Sequence, residues 1–260
     1  MSMNYEEFKK EIYKITGIDL NSYKERQMKR RLNSLISKRE FDGYQTYLNA
    51  LKIDSRLYDE FMTYITINVS EFYRNPEQWV KLKEIILPIL IKQNKKIKIW
   101  SAACSSGDEP YTLAMILNEF FPLEDIKIIA TDLDKEILEK AKKGIYAEKS
   151  VVNLPKAYLK KYFIQENNNF RIKDELKKCI EFKQHNLLSD KYPSDCNLIV
   201  CRNVLIYFTE EAKIEIYKKF NKALAPSGVL FVGSTEQIIL YANYHFKPIQ
   251  TFFYQKEKDL

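Results

Sequence analysis

Two acidic residues placed after successive apolar runs are the first sign of chemistry in this 260-residue chain. Glu109 stands just beyond Ile97-Lys-Ile-Trp-Ser-Ala-Ala-Cys-Ser-Ser-Gly107, an apolar run that passes into small residues. Asp132 closes the next run, Ile126-Lys-Ile-Ile-Ala-Thr131. A buried strand, a loop of small residues and a helix N-terminus let backbone N–H groups approach a ligand closely. An acid at the tip of the second strand is where a ribose diol is gripped. No lysine follows Gly107, which argues against a phosphate-cradling loop, and Glu109 would repel a pyrophosphate but could hold a cation. A nucleoside carrying an ammonium and a sulfonium, S-adenosylmethionine, meets both demands. The competing reading is an ordinary strand-to-helix turn.

Other polar residues collect where apolar runs end. Asn186 and Leu187, in His185-Asn-Leu-Leu188, suit the edge and face of an adenine, or simply end a strand. In Cys201-Arg-Asn-Val-Leu-Ile-Tyr-Phe208, Arg202, Asn203 and Tyr207 are more polar groups than a turn requires. Ile67-Asn-Val-Ser-Glu-Phe-Tyr-Arg-Asn-Pro76 alternates polar and aromatic residues, as either a hinge or a strap over a site would. His185 and His245 are the only histidines and lie far apart, so a histidine metal site and a Ser-His-Asp triad are both disfavoured, and no metal is expected. Cys104, Cys179, Cys196 and Cys201 show no C-x-x-C spacing and read as reduced core thiols.

These side chains need elements to position them. With 45% hydrophobic residues, six glycines and eight prolines, the chain suits one large domain or two modest ones without long disordered linkers. Up to residue 66 the spacing predicts only helices. Tyr5, Phe8, Ile12 and Ile15 share one face of a first helix that ends at Gly17. A second helix over 23–38 places Met28, Leu32, Leu35 and Ile36 inward, and two more follow at 44–51 and 56–67. The second carries Lys24, Arg26, Lys29, Arg30 and Arg31, with no acid between Arg26 and Arg39. Charge of one sign reads as a docking face for an acidic partner or as a solvated face. The net charge of +7 agrees with an acidic partner.

A helix over 76–91 leads into an alternating region. Strands are expected at 97–102, 126–131, 179–184, 196–201, 228–233 and 248–255, with helices at 109–120, 134–143 and 210–224. Such alternation predicts an α/β fold with a doubly wound, mostly parallel sheet. Residues from about 145 to 183 break the rhythm, and Asn167-Asn-Asn169 between short β runs marks a small antiparallel insertion. The expected organisation is a helical domain at 1–66, a strap at 67–76 and an α/β domain at 77–260. The longest apolar run, Ile85 to Ile91, is too short to span a membrane, and the start lacks a signal-peptide pattern. A cytoplasmic protein without direct membrane insertion is the expectation.

Taken in order, Asn68-Val-Ser-Glu-Phe-Tyr-Arg74, Trp100-Ser-Ala-Ala-Cys-Ser-Ser-Gly-Asp-Glu-Pro-Tyr111, Ala130-Thr-Asp-Leu-Asp134 and Cys201-Arg-Asn-Val-Leu-Ile-Tyr-Phe208 closely resemble the CheR family of chemotaxis receptor methyltransferases. The resemblance implies a Rossmann-like class I S-adenosylmethionine-dependent domain behind an all-α docking domain. It implies esterification of glutamates on receptor signalling helices, with S-adenosylhomocysteine as product. By the same resemblance, Asn68, Ser70 and Arg74 would contact the cofactor from the strap, Glu109 would bind its methionine amino end and Asp132 its ribose. Asn186 and Leu187 would border the adenine, Arg202 and Asn203 would line the methionine side, and Arg74 and Tyr207 would lie near the transferred methyl. Ser70 stands where the family usually has threonine and keeps the hydroxyl; Asp108 stands where glutamate is common. Some members carry a glycine in the insertion turn and bind a peptide tether at the receptor C-terminus. Asn167-Asn-Asn169 has none, which favours direct docking on the receptor's cytoplasmic helices through Lys24, Arg26, Lys29, Arg30 and Arg31.

A glutamate acceptor is already ionised at neutral pH, so such chemistry needs no base. Two other readings stand beside it. A methyltransferase acting on nucleic acid would suit the net charge, but the basic helix has few aromatics for base stacking. A non-catalytic S-adenosylmethionine-binding signalling adaptor would have no use for Arg74 and Tyr207.

Overall fold

A computed structural model describes residues 3–94 and 96–257. The outer limits of the expected domains, at residues 1 and 260, lie outside the described residues.

Four helices open the chain: α1 (Tyr5–Thr16), α2 (Glu25–Lys38), α3 (Tyr44–Leu51) and α4 (Ser55–Thr66). Side chains fix their ends. Asn4 and Glu7 cap α1 reciprocally, and Gly17 ends it in the left-handed region at φ 70°. Asp54 accepts the first N–H groups of α4. Phe8, Ile12, Leu32, Leu35, Leu48 and Phe61 form the buried stripes of these helices.

The residues up to Asn68 form one unit together with the distant segment Leu205–Glu215. An antiparallel bridge pairs Tyr23 with Phe208, whose rings lie 4.9 Å apart. The Lys24 N–H donates to the Tyr207 carbonyl, and the Thr209 N–H to that of Ser22, both at 2.9 Å.

Val69–Val204 and the residues from Ile216 on form the second unit. Its strands are β1 (Ile99–Ala102), β2 (Ile128–Asp132), β3 (Ile145–Ala147), β4 (Phe163–Glu166), β5 (Asn169–Ile172), β6 (Ile180–Gln184), β7 (Cys196–Cys201), β8 (Leu224–Val232), β9 (Phe246–Gln250) and β10 (Phe253–Lys256). The main sheet runs β6-β2-β1-β7-β8-β10-β9. Its first five strands are parallel, and β10 pairs antiparallel with both β8 and β9. From β1 the chain winds outward through β2 to β6, then returns to β7 on the other side of β1. Ligand sites of doubly wound sheets open beyond the strand ends where the order reverses. β1 and β7 are buried along their whole length, as central parallel strands are. The helices are α5 (Pro76–Lys81), α6 (Leu87–Gln93), α7 (Asp108–Leu117), α8 (Lys135–Lys143), α9 (Lys156–Tyr162), α10 (Asp174–Lys177) and α11 (Glu210–Ala223), whose first turns belong to the other unit.

Several boundaries depart from the sequence expectation. The segment expected as a strand at 248–255 is a hairpin, β9 and β10, turning at Thr251 and Phe252. Phe252 takes the left-handed conformation at φ 71°, a place where glycine is the usual marker. β8 begins at Leu224 rather than 228, and its pairing with β7 shifts register across Pro226-Ser-Gly228. The helix expected over 76–91 contains a π-turn at Leu82–Ile86, which relieves the clash Pro88 would otherwise cause one turn back. Ile180–Gln184, inside the expected insertion, is β6 of the main sheet. The insertion proper is a three-stranded antiparallel sheet, β3-β5-β4, and β3 had no expectation of its own. Among the described residues no helix is long and apolar enough to cross a membrane. All four cysteines are buried and free.

Candidate cofactor-binding site

The turn after β1 is shaped for close approach. Ala103, Ser105 and Gly107 all take positive φ, at 64°, 48° and 91°. A Cβ on Gly107 would come within 3.0 Å of Ala141 and 3.1 Å of the Tyr111 ring, so glycine is required by both conformation and space. The turn is tied to β2 at two levels. The Cys104 N–H donates to the Thr131 carbonyl at 2.8 Å, and the Ser105 N–H to Asp132 Oδ2 at 2.8 Å. Asp132 Oδ1 accepts the Asp134 N–H at 3.1 Å. Burial pushes the Asp132 carboxyl up to about 6, against the pull of these backbone donors. The His185 N–H donates to the Asp132 carbonyl at 2.8 Å and brings the tip of β6, with Asn186 and Leu187, to the same edge.

Glu109 sits in the first turn of α7. Its Oε1 accepts from the Ser101 hydroxyl at 2.8 Å, and its Oε2 lies 3.9 Å from Arg202 Nη1. Burial pushes the Glu109 carboxyl up to about 7 despite the opposing pull of Arg202, Ser101 and Arg74. Arg202 is 6% exposed, its guanidinium packed 4.8 Å from the centres of both the Trp79 and Phe231 rings. Nη2 donates to the Arg74 carbonyl at 2.9 Å, to Asn75 Oδ1 at 3.2 Å and to Gln78 Oε1 at 2.9 Å. One buried cation therefore fastens the segment carrying Ser70 and Arg74 to the tip of β7. Burial raises the Asp108 carboxyl, while the Ser106 and Ser70 hydroxyls favour its charged form.

Whether these residues suit S-adenosylmethionine is answered by what they lack. Arg202 Nε and Gln78 Nε2 are buried without a hydrogen-bond partner, and the Glu109 carboxylate, its side chain 12% exposed, meets Arg202 only at ion-pair distance. Buried polar groups ordinarily find partners. Two idle donors beside an under-compensated carboxylate fit a ligand end bearing both a carboxylate and an ammonium. Asp132, fixed at a strand tip by backbone donors, suits a diol. The cofactor fits.

The family model of the CheR methyltransferase SAM binding domain matches residues 68–254, and that of the CheR methyltransferase all-alpha domain matches residues 3–66. The chain belongs to the CheR methyltransferase family. The chemotaxis protein methyltransferases of Listeria innocua and Listeria monocytogenes are each 41% identical to it, over 98% of this chain and 98% of their own. That of Borreliella burgdorferi is 38% identical over 87% of this chain and 85% of its own. The second unit accordingly has the class I methyltransferase fold, and S-adenosylmethionine-dependent methylation is the chemistry of the family.

Within this CheR fold, the second unit gathers Ser70, Arg74, Glu109, Asp132, Asn186, Leu187, Arg202 and Asn203 at the C-terminal ends of its parallel strands and the segment before α5. Arg74 Nη1 donates to the Val69 carbonyl at 3.4 Å. Asn186 Oδ1 accepts the Leu188 N–H at 2.9 Å, and Leu187 is buried, its carbonyl accepting from the Tyr192 hydroxyl at 2.7 Å. Asn68 and Tyr207 belong to the other unit, where Asn68 Nδ2 donates to Thr66 Oγ1 at 3.0 Å. The basic residues of α2 differ among themselves. Lys24, Arg26 and Arg30 are exposed, and the Lys29 ammonium lies 5.1 Å from the centre of the Tyr5 ring. Arg31 turns inward, its guanidinium donating to the Tyr64 carbonyl and lying 4.6 Å from the Tyr64 ring centre.

Sequence reasoning missed Gln78, Ser101, Tyr146 and Glu236. The Tyr146 hydroxyl, from the insertion, donates to the Ser106 carbonyl at 2.7 Å and so braces the turn after β1. Gln78 follows Pro76 by two residues and faces inward; its polarity on the buried side of a helix was the available signal.

Proposed function

We propose that the protein transfers a methyl group from S-adenosylmethionine to glutamate side chains of chemoreceptors, giving glutamate methyl esters and S-adenosylhomocysteine. The observation that carries this reading is the largely buried Glu109 carboxylate at the corner shared by Arg202 and the segment bearing Arg74. It is supported by membership of a family whose relatives are named for chemotaxis. When bound, the cofactor supplies a methyl group on a sulfonium.

In this reading Glu109 holds the ammonium, Asp132 the ribose, and Asn186 and Leu187 the adenine. Arg202 and Asn203 line the methionine side, and Asn68, Ser70 and Arg74 close over the cofactor from residues 67–76. The acceptor glutamate needs no base, since an unperturbed glutamate has a pKa of about 4.3. The chain's task is positioning and exclusion of water. Arg74 orients the incoming carboxylate and Tyr207 fixes the geometry of transfer. The helical N-terminal domain docks directly on the acidic receptor helices through Lys24, Arg26, Lys29 and Arg30, with Arg31 bracing the helix from within. The turn at Asn167-Asn-Asn169, which lacks a glycine, speaks against binding of a receptor tether. The protein acts in the cytoplasm.

Labelled methyl transfer to a receptor cytoplasmic fragment, followed by mild alkali, tests the proposal. Release of the label as volatile methanol is expected of a carboxyl ester. Alkali-stable label would overturn the glutamate assignment. Cofactor binding without transfer to any receptor would favour an adaptor.

A further inference from the structure

We propose that Glu236 is a positioning residue whose carboxylate holds the Arg202–Asn203 corner in its cofactor-binding shape. The inference rests on the proposed reading of that corner as part of the S-adenosylmethionine site.

The ladder between β7 and β8 ends at the pair Cys201 and Val232. Beyond it the two strands must part if a crevice is to open at the switch point. Their next N–H groups, on Asn203 and Gly233, then lose the partners that a continuing sheet would provide. Glu236 takes over at that point. It is 5% exposed, and a single oxygen, Oε2, accepts both the Asn203 N–H at 2.5 Å and the Gly233 N–H at 2.9 Å. Its own N–H donates to the Gly233 carbonyl at 3.0 Å and closes the turn that delivers the carboxylate.

Two further features are built around this contact. Asn203 is left-handed, at φ 60°, a conformation that asparagine tolerates better than most L residues. Gly233 leaves the room. A Cβ at that position would stand 2.4 Å from Glu236 Oε2, 2.9 Å from the Asn203 nitrogen and 3.1 Å from Asn203 Nδ2. The glycine, the left-handed asparagine and the buried acid form one device. Its effect is to set the direction in which Arg202 and Asn203 leave β7. The Glu236 charge also acts through space on Arg202, so the acid favours the buried guanidinium it helps to place.

Three variants test the device, read by amide exchange at residues 203 and 233, by calorimetry with S-adenosylhomocysteine, and by thermal melting. Glu236→Ala should accelerate exchange at both amides and raise the dissociation constant by about tenfold or more. Glu236→Gln keeps an oxygen that can accept both N–H groups and should recover most of each loss. A folded Glu236→Ala protein with wild-type protection and affinity would overturn the inference. So would equal losses in the alanine and glutamine variants, which would make the charge rather than the hydrogen bonds responsible. Should the alanine variant fail to fold, Gly233→Ala decides, since it forces the same groups apart while keeping the acid. Weakened binding is expected there too, and unchanged binding would overturn the proposal. Exchange needs no ligand, so protected amides in a wild-type chain that bound no cofactor would count against the proposed function and leave the clamp standing.

Discussion

Glu109 and Asp132 are acids that the fold withholds from water, and pH should expose the cost. Burial raises them from 4.5 to about 7 and from 3.8 to about 6. Each contribution to stability is therefore complete below the unfolded value and is lost as pH rises through the folded one. The ligand-free protein should lose melting temperature between about pH 4 and pH 7, and Glu109→Gln should shrink that loss. Ligand affinity should run the other way. An ammonium is met by the ionised carboxylate, so S-adenosylhomocysteine should bind more tightly as pH rises toward 7 and level off above it. At a fixed pH near 8, Glu109→Gln should weaken binding about 10- to 100-fold by calorimetry, the worth of a charge-assisted contact. Arg74→Ala should lower turnover on a receptor fragment by about a hundredfold, since misplacing a reacting group costs that much. Full turnover in that variant would remove Arg74 from the reaction.

At the scale of the element, the turn after β1 depends on neighbours far away in the chain. Tyr146→Phe removes one hydrogen bond to the Ser106 carbonyl and should cost about 1 kcal/mol of stability. A matching loss of ligand affinity would show that the insertion braces the site. Phe72 packs between Tyr146 and Phe163, with ring centres 4.7 and 5.3 Å away, and its N–H donates to the Ser150 carbonyl. Phe72→Ala should cost about 3–5 kcal/mol by denaturant unfolding. The central parallel strands were legible because burial on both faces makes them runs rich in apolar residues; β7 was bounded to the residue, Cys196 to Cys201. Acids and small residues at strand tips were legible for the same reason, as interruptions of such runs. Phe252 hid a turn, because nothing in its side chain announces a left-handed backbone. The early start of β8 was hidden as well, because Pro226 and Gly228 are residues seldom found inside a strand. Tyr146 was silent because its partner lies forty residues away, and the Asn203 partner of Glu236 is similarly distant, while periodicity carries only local information.

Over the whole molecule, the net charge of +7 is carried in part by an exposed row on α2. Attraction between this row and an acidic surface governs encounter more than residence, and salt screens it. Reversing Arg26 and Arg30 together should weaken capture of a receptor fragment, most of all at low salt, while calorimetric cofactor affinity stays as it was. Equal loss of both would count against a docking role. The first unit is assembled from the N-terminal helices and from Leu205–Glu215, more than a hundred residues further on. Its interior includes Leu205 and Phe208. That arrangement bears on how such a protein can be inherited and recombined. A helical module exchanged between relatives at a single crossover near residue 68 would arrive without the strand-exit segment that completes it. Chimeras that change receptor preference should fold best when residues 205–215 travel with the helices, so the two stretches are expected to diversify as a pair.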